Sequence, residues 1–331
     1  MNIRLWERRQ FLQTAGVIGL AGTVPVAGAV EPPPETRRIR LPRYDVACVS
    51  PLWVAEELLR AEGFDAIEYL PMDSRVGVAA LVAGKIDFEI RAPFSTVLAL
   101  DEGAPIVALG GIHAGCYELL AARGVKSIRE LKGRRVGHAD RGRKAFVSLM
   151  LLHVGLDPAR DVTLVDVPSH DGARLLQQGV IDAYLGFPPE PQAMRAAGIG
   201  TSIVNTTLDR PWSQYFCCQV WGNRDFVSAH PAATKRALRA LVKAADICAV
   251  EPERTARAGF DRGILSDYAN SATTLKELPY RRWREYDSAD SLRFFALRLH
   301  EAGLIKTAPQ KLLAAGTDWR FIEQIKRELK S

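Results

Sequence analysis

Short β-branched runs alternate with segments of helical period over the first two thirds of this 331-residue chain. Eight runs between residues 38 and 205 predict strands: Ile39–Leu41, Ala66–Leu70, Ile86–Ile90, Ile106–Gly111, Arg134–Gly137, Val162–Val167, Ile181–Gly186 and Thr201–Val204. Six segments between them predict helices: Val54–Glu62, Val76–Ala83, Ser95–Glu102, Arg143–His153, Gly172–Gln178 and Pro189–Ala197. Because parallel strands need crossover connections, this alternation predicts an α/β fold with a mixed, mostly parallel sheet flanked by helices.

An internal repeat divides this alternating region. Leu81-x-x-Gly84-x-Ile86-Asp87 recurs 95 residues later as Leu176-x-x-Gly179-x-Ile181-Asp182. A helix that ends at a left-handed glycine and leads directly into a buried strand accounts for both copies. Such endings are also common in unrelated α/β proteins, so coincidence is the alternative. The repeat predicts two similar α/β units.

The alternation stops after residue 205. Tyr215–Trp221 predicts one more strand, and helical patterns follow at residues 231–249, Ser291–His300 and Trp319–Leu329. We therefore expect a discontinuous lobe I, residues 38–121 plus 216–331, and a lobe II, residues 122–215.

The first 29 residues have the features of an export signal. Arg8-Arg9-Gln10-Phe11-Leu12 matches the twin-arginine pattern, and no charged residue follows until Glu31. Ala27-Gly28-Ala29 predicts cleavage after Ala29, with an uncleaved anchor as the alternative. Residues 30–37, which include three consecutive prolines, are expected to form a linker. The sequence thus predicts a periplasmic protein exported by the twin-arginine route.

Composition and motifs exclude several classes of function. The net charge of +6 is modest and scattered, so nucleic acid is not an expected partner. The five cysteines form no CxxC pair and the six histidines show no metal-ligand spacing, so the sequence predicts neither a metal site nor a cofactor. Cys217 and Cys218 are expected to be buried thiols, with a vicinal disulfide as the alternative. No complete hydrolase, metalloprotease or nucleotide-binding motif is present, which favours binding without catalysis.

Four stretches, in their order and spacing, resemble a known family. They are Ser50-Pro51-Leu52-Trp53-Val54-Ala55 with Glu62-Gly63-Phe64; Ala83-Gly84-Lys85-Ile86-Asp87-Phe88 with Glu102-Gly103-Ala104-Pro105; Leu131-Lys132-Gly133-Arg134-Arg135-Val136-Gly137 with Gly155-Leu156-Asp157; and Gln178-Gly179-Val180-Ile181-Asp182-Ala183 with Phe187-Pro188-Pro189-Glu190. This order resembles that of the solute-binding proteins of ABC importers for nitrate, sulfonates, taurine and thiamine-precursor pyrimidines. The chain departs from the family at two places, Gly142-Arg143-Lys144 and Phe187-Pro188-Pro189.

The resemblance implies a two-lobed, type II periplasmic-binding-protein fold with a ligand cleft between the lobes. A monomer of this kind captures a solute by hinge closure and delivers it to an ABC permease with its ATPase. The alternative is an enzyme on the same fold, a pyrimidine synthase or an aromatic-acid decarboxylase, in which His113, His138 or Glu190 would act as acid or base. A receptor that passes its ligand to a sensor domain is a third reading.

A ligand is expected at the carboxyl ends of the strands, where loops lead into helix N-termini. The candidate ligand-binding residues in those loops are Ser50, Trp53, Arg91, Phe94, His113, Cys116, Arg141, Arg143, Phe187 and Glu190. Arginines favour a small anionic solute, a sulfonate or an aromatic or aliphatic carboxylate, and the aromatic side chains favour one larger than nitrate. Each candidate also has a structural reading: an internal ion pair for Arg91, a solvated face for the basic run 134–144, core packing for the aromatic residues and a structural role for His113.

Overall fold

Ten strands form three sheets in the part of the chain that the computed structural model describes, residues 31–168 and 171–329. The strands are β1 (Arg38–Arg43), β2 (Ala66–Pro71), β3 (Phe88–Arg91), β4 (Ile106–Ala114), β5 (Glu118–Ala121), β6 (Arg135–His138), β7 (Thr163–Asp166), β8 (Ala183–Gly186), β9 (Thr201–Asn205) and β10 (Phe216–Asn223). The expected export signal lies outside the described residues.

The three sheets together contain both parallel and antiparallel strand pairs, as the fold-class prediction required. Strands β1 and β2 form a parallel pair, and β3, β10 and β4 form a second sheet in which β10 runs antiparallel to both neighbours. The third sheet has the order β7-β6-β8-β5-β9; β6 is parallel to β7 and β8, whereas β5 is antiparallel to β8 and β9. The α/β fold is therefore confirmed, with β5 and β10 as its antiparallel members.

Fourteen helices connect and cover these strands in the described residues. They are α1 (Pro51–Val54), α2 (Glu56–Ala61), α3 (Gly77–Val82), α4 (Pro93–Asp101), α5 (Arg141–His153), α6 (Gly172–Gln177), α7 (Glu190–Ala196), α8 (Arg224–Ala229), α9 (Pro231–Val250), α10 (Pro252–Asp261), α11 (Tyr268–Glu277), α12 (Ser288–Glu301), α13 (Pro309–Gly316) and α14 (Arg320–Glu328). Within these ranges no helix combines the length and the apolar character that a bilayer span requires.

The repeat in the sequence is one local structure formed twice. Gly84 and Gly179 both have left-handed backbones, with φ of +63° and +68°. In the first copy the backbone N–H of Arg40 donates to Asp87 at 2.7 Å, and the Arg40 guanidinium bonds both Asp87 and the Gly84 carbonyl. Arg135, 95 residues after Arg40, makes the same set of bonds to the second copy. The repeat is therefore structural and extends to an arginine on the neighbouring strand.

The strand pairs next to these junctions repeat as well. Strand β1 pairs in parallel with β2, and β6 pairs in parallel with β7, with Arg40 opposite Glu68 and Arg135 opposite Thr163. Both partners lie 28 residues further along the chain. The two α/β units therefore share register as well as element order.

The C-terminal third packs as helices, as its sequence pattern predicts. Helix α9 buries the face that carries Leu238, Leu241 and Cys248, and helices α12, α13 and α14 contact strands β4 or β10. The start of α9 is also held by the segment expected to be a linker, since the Glu35 carboxylate accepts hydrogen bonds from two backbone N–H groups of the first turn, at 2.9 Å each. That segment is fixed to the fold at Glu35.

Candidate functional site

A cavity of about 470 Å³ opens between the segments around β1 and β2 and those around β8 and α7. One wall consists of Tyr44–Val46, Met72–Ser74, Ser266 and Asp267. The opposite wall consists of Arg143, Ala173, Tyr184, Phe187–Glu190, Ala193, Met194, Ala197 and Ile199. The volume is typical of small-molecule sites, and several lining residues follow the carboxyl ends of β1, β2 and β8, as expected for parallel strands.

A narrow inner pocket continues from this cavity toward β3 and β10. It shares Tyr44, Arg143 and Phe187 with the cavity and adds, among others, Arg91, Tyr117 and Cys218. Its volume is only about 10 Å³, which is too little for more than the tip of a ligand. The site is therefore wide outside and narrow inside, with a guanidinium at its inner end.

Arg143 lies in the first turn of α5, under the cavity. Asp140 caps this helix by accepting from the Arg143 backbone N–H at 2.8 Å, and its carboxylate lies 3.3 Å from the Arg143 Nε. The guanidinium lies over the Phe187 ring, 5.1 Å from its centre, and the side chain is only 9% exposed. A buried guanidinium therefore borders the cavity, and its charge favours an anion there.

Arg91 ends strand β3 and shares the inner pocket with Tyr117. Its guanidinium lies 3.6 Å from the Glu89 carboxylate, and Tyr44 donates to the same Glu89 oxygen at 3.0 Å. Burial opposes the charge on Arg91, but Glu89 beside it holds the pKa of Arg91 above its ordinary value. Burial raises the pKa of Glu89 to about 7, although Arg91 and Tyr44 act in the opposite direction. The Arg91–Glu89 pair at the inner end of the site therefore carries a net positive charge whenever Glu89 is protonated.

Four carboxylates also border the outer cavity, and each has a structural partner. They are Asp45, Asp73, Glu190 and Asp267. Asp45 accepts from the Ser266 backbone N–H, Asp73 pairs with Arg75, Tyr184 donates to Glu190, and Asp267 caps α11. Their hydrogen-bonding capacity is thus partly used within the protein, which lessens their effect on a bound anion.

The structure brings four of the predicted site residues together at the cavity or its inner pocket: Arg91, Arg143, Phe187 and Glu190. Ser50, Trp53 and Phe94 are instead buried beside other side chains, Phe94 stacked on Phe146 at 4.4 Å between ring centres. Arg141 is exposed and pairs with Glu102. The rings of Phe94 and Trp53 therefore pack in the core and do not line the cavity. Core packing was the alternative given for the aromatic candidates in the sequence analysis.

The remaining two, His113 and Cys116, lie in a buried cluster behind the inner pocket. The side-chain donor atoms of Cys48, His113, Cys116 and Cys218 are all within 4.8 Å of one another, and the cysteines of the described residues are free thiols. Hydrogen bonds from Cys116, Cys217 and Cys48 hold the pKa of Cys218 well below its ordinary value. Sequence spacing gave no sign of this group, because its members come from three distant segments.

Several cavity residues were missed by sequence reasoning. Tyr44, Ser74, Tyr184 and Met194 line the cavity but were not among the predicted residues. Tyr44 was detectable, since it directly follows β1 and the repeat relates that loop to the one before α5. Tyr184 and Met194 carried no such signal, because a tyrosine in a strand and a methionine in a helix are ordinary core residues.

Comparisons with known proteins agree on the fold. The family model described as "NMT1/THI5 like" matches residues 51–255. The alkanesulfonate-binding protein SsuA from Xanthomonas axonopodis pv. citri, solved with bound MOPS, aligns with a TM-score of 0.69 at 18% identity over 88% of this chain and all of the other. The periplasmic nitrate-binding protein NrtA from Synechocystis PCC 6803 aligns with a TM-score of 0.77 at 15% identity over 89% and 90% of the two chains.

One curated relative is named as an enzyme, whereas the solved neighbours above are named as binding proteins. The 4-amino-5-hydroxymethyl-2-methylpyrimidine phosphate synthase of Candida albicans (strain WO-1) is 25% identical over 210 residues, 59% of this chain and 58% of that protein. The chain thus spans about three fifths of the length of the curated relatives it matches. Since the family model covers more than half of the chain and the solved neighbours share the fold, this protein is a member of the NMT1/THI5-like family with the periplasmic-binding-protein fold.

Proposed function

We propose that this protein is the extracytoplasmic solute-binding component of an ABC importer and that it captures a small organic anion in the cavity described above. The observation that carries the proposal is the pair of buried guanidiniums, Arg91 and Arg143, at the inner end of a cavity bordered by aromatic rings. Arginine forms paired hydrogen bonds with carboxylates and sulfonates, which suits the expected ligand class.

The size and lining of the cavity restrict the class of solute that it can bind. About 470 Å³ holds a ring or a short chain, far more than nitrate needs. Phe187 and Tyr184 offer flat surfaces on one side, and Met72 and Met194 offer adaptable apolar contacts. We infer an aromatic or ring-bearing carboxylate or sulfonate whose charged group points toward Arg91.

The working cycle follows from the location of the cavity between two sets of elements. A solute that contacts both walls stabilises the form in which they are close, and the closed form is the one that a membrane permease recognises. Residues 38–121 with 216–331 would form one lobe and residues 122–215 the other. The solved neighbour that is named as a periplasmic nitrate-binding protein supports this interpretation and a periplasmic location.

The second candidate is a pyrimidine synthase on the same fold, which the names of the curated relatives favour. Of the residues considered as its acid or base, Glu190 lines the cavity, whereas His113 and His138 are buried. Incubation of the purified protein with candidate pyrimidines and mass spectrometry of the products separates the two: stoichiometric binding without turnover supports the binding protein, and turnover supports the synthase.

A thermal-shift screen of sulfonates, aromatic carboxylates, nitrate and pyrimidines identifies the solute class. With the best solute, Arg143→Ala is expected to weaken binding by about 1.5–3 kcal/mol, or roughly 10- to 150-fold in Kd, because it removes charge-assisted hydrogen bonds. Titration calorimetry measures the change.

Arg141→Ala is the matched control for this experiment. Arg141 lies two residues away on the same helix, but it is exposed and pairs with Glu102 outside the cavity. Its removal is expected to leave the affinity within about twofold of the wild-type value. Equal effects of the two substitutions would contradict an anion site at Arg143.

A further inference from the structure

Three cysteines and one histidine form a closed four-donor group behind the cavity. Their donor atoms lie within 4.8 Å of one another, and all four residues are buried, with exposures from 0% to 3%. Four soft or borderline donors at this spacing match the Cys₃His set of closed tetrahedral metal centres. Of the four residues, Cys218 borders the inner pocket, and the other three line neither the cavity nor that pocket.

The four donors are held by rigid elements. Cys218 in β10 is paired with His113 in β4 across the antiparallel ladder, so these two side chains are fixed by strand register. Cys48 lies in the 3-10 turn Ala47–Val49, whose carbonyls accept from the Tyr280 hydroxyl. Cys116 follows β4 with its backbone N–H bonded to Thr206 at 3.0 Å. Donors placed by strands and a braced turn need little rearrangement to close around an ion.

His113 points to a metal on independent grounds. Its Nδ1 lies 3.0 Å from the Gly115 carbonyl, so Nδ1 carries the proton and Nε2 is the basic nitrogen. Nε2 is buried and has no hydrogen-bond acceptor or donor within bonding geometry. A carbonyl on one ring nitrogen and an unpartnered second nitrogen is the usual arrangement of a metal-ligating histidine. A buried polar atom without a partner is otherwise costly.

The charge around the group is compatible with three thiolates. A divalent cation with three thiolates and a neutral imidazole has a net charge of −1. Arg91 and Cys218 border the same inner pocket, so the Arg91 guanidinium lies close enough to offset this negative charge. Of the four donors, Cys218 is the one that borders this pocket.

We propose that Cys48, His113, Cys116 and Cys218 bind a thiophilic closed-shell cation, Zn²⁺ or Cu⁺. Binding forms three metal–sulfur bonds and one metal–nitrogen bond and releases the thiol protons to solvent. The ion would tie β4, β10 and the turn at Cys48 together at the inner end of the cavity. Its role would be structural, because all four positions of a tetrahedral ion are filled by protein.

The test begins with the wild-type chain, so it does not depend on a variant. The purified protein is reduced, stripped with a chelator and loaded with Zn²⁺, or with Cu⁺ under anaerobic conditions. We expect one equivalent of at least one of these ions per chain. X-ray absorption of the zinc form should show three sulfur neighbours at about 2.3 Å and one nitrogen at about 2.0–2.1 Å. Substoichiometric binding of both ions, or a first shell of oxygen and nitrogen only, overturns the proposal.

Single substitutions locate the site. Cys218→Ser and Cys48→Ser are expected to weaken metal binding by about 100-fold or more, measured by competition with a chelator of known affinity. Cys248→Ser is the matched control, since Cys248 is equally buried but lies outside the group. Loss of metal in the control alone, or in no variant, contradicts the assignment.

Cys217 gives a further discriminating measurement. Its sulfur lies 3.0 Å from that of Cys116, so an oxidised pair is the main competitor for this donor. Mass spectrometry of protein isolated without reductant counts the free thiols. Five free thiols support the metal site, and a Cys116–Cys217 disulfide would remove one donor and overturn it.

Discussion

At the scale of single residues, Glu89 controls the charge at the inner end of the cavity. It is fully buried, it contacts Arg91 and Tyr44, and its second carboxylate oxygen has no hydrogen-bond partner. Burial raises its pKa from 4.5 to about 7 despite the neighbouring guanidinium. A solute anion competes with ionised Glu89 for Arg91, so we expect solute affinity to fall as pH rises through about 7.

The same raised pKa makes stability depend on pH. Between pH 4.5 and about 7 the folded protein keeps the Glu89 proton that the unfolded chain has lost, so the free energy of unfolding decreases as pH rises through this window. The full shift corresponds to about 3 kcal/mol. Glu89→Gln is expected to remove this contribution, which urea denaturation at pH 5 and pH 8 measures. Glu102→Gln, on the surface, serves as control; a Glu89→Gln curve parallel to that of the wild type would refute the prediction.

Residue type and position after a predicted strand together predicted part of the site. Arg91, Arg143, Phe187 and Glu190 border the cavity or its inner pocket because each follows closely on a strand that the sequence pattern locates. The burial of Phe94 was not predictable, since apolar side chains at helix starts pack either into a core or along a cleft. The cysteine cluster could not be predicted from the sequence, because strand pairing brings Cys218 opposite His113 although the two are far apart in the chain.

At the scale of elements, the repeated arginine–aspartate junction joins each helix end to the neighbouring strand. The first copy is more buried, with Asp87 2% and Arg40 29% exposed, against 20% for Asp182 and 45% for Arg135. In both copies one carboxylate caps a backbone N–H and also orients a guanidinium toward a glycine carbonyl. The junction thereby fixes where strands β3 and β8 begin.

We expect Asp87→Ala to destabilise the protein more than Asp182→Ala. Removal of Asp87 leaves a largely desolvated guanidinium without its partner and should cost about 3–5 kcal/mol, whereas loss of the more exposed Asp182 should cost about 1–2 kcal/mol. Urea denaturation of the two variants gives the comparison. Equal losses would mean that burial does not set the strength of this junction.

The sequence predicted the order of the elements well. It did not predict some of their boundaries, and it did not predict strand β5. The expected helix Val54–Glu62 is two helices, α1 and α2, that meet at Ala55. Strand β5 was not predicted, because four residues that follow β4 after a short turn give no period of their own. Its antiparallel pairing with β8 and β9 is a tertiary outcome that local propensity does not encode.

At the scale of the whole molecule, solute binding is expected to draw the two walls of the cavity together. A solute at 100 times its Kd stabilises the folded chain by about 2.7 kcal/mol, which raises the melting temperature by several degrees. Small-angle X-ray scattering should show a smaller radius of gyration for the bound form. Unchanged dimensions on saturation would count against hinge closure, while the Arg143→Ala result would still bear on the anion site.

The twofold repeat places related loops on opposite sides of one cavity. The residues after β1, including Tyr44, border one wall, and the residues after β6, including Arg143, border the other. With one loop on each wall, the two ends of a bound solute contact different loops. Substitutions in one loop can therefore alter the contacts to one end of the solute while the other loop keeps its contacts to the other end. Specificity can change through substitutions on one wall at a time.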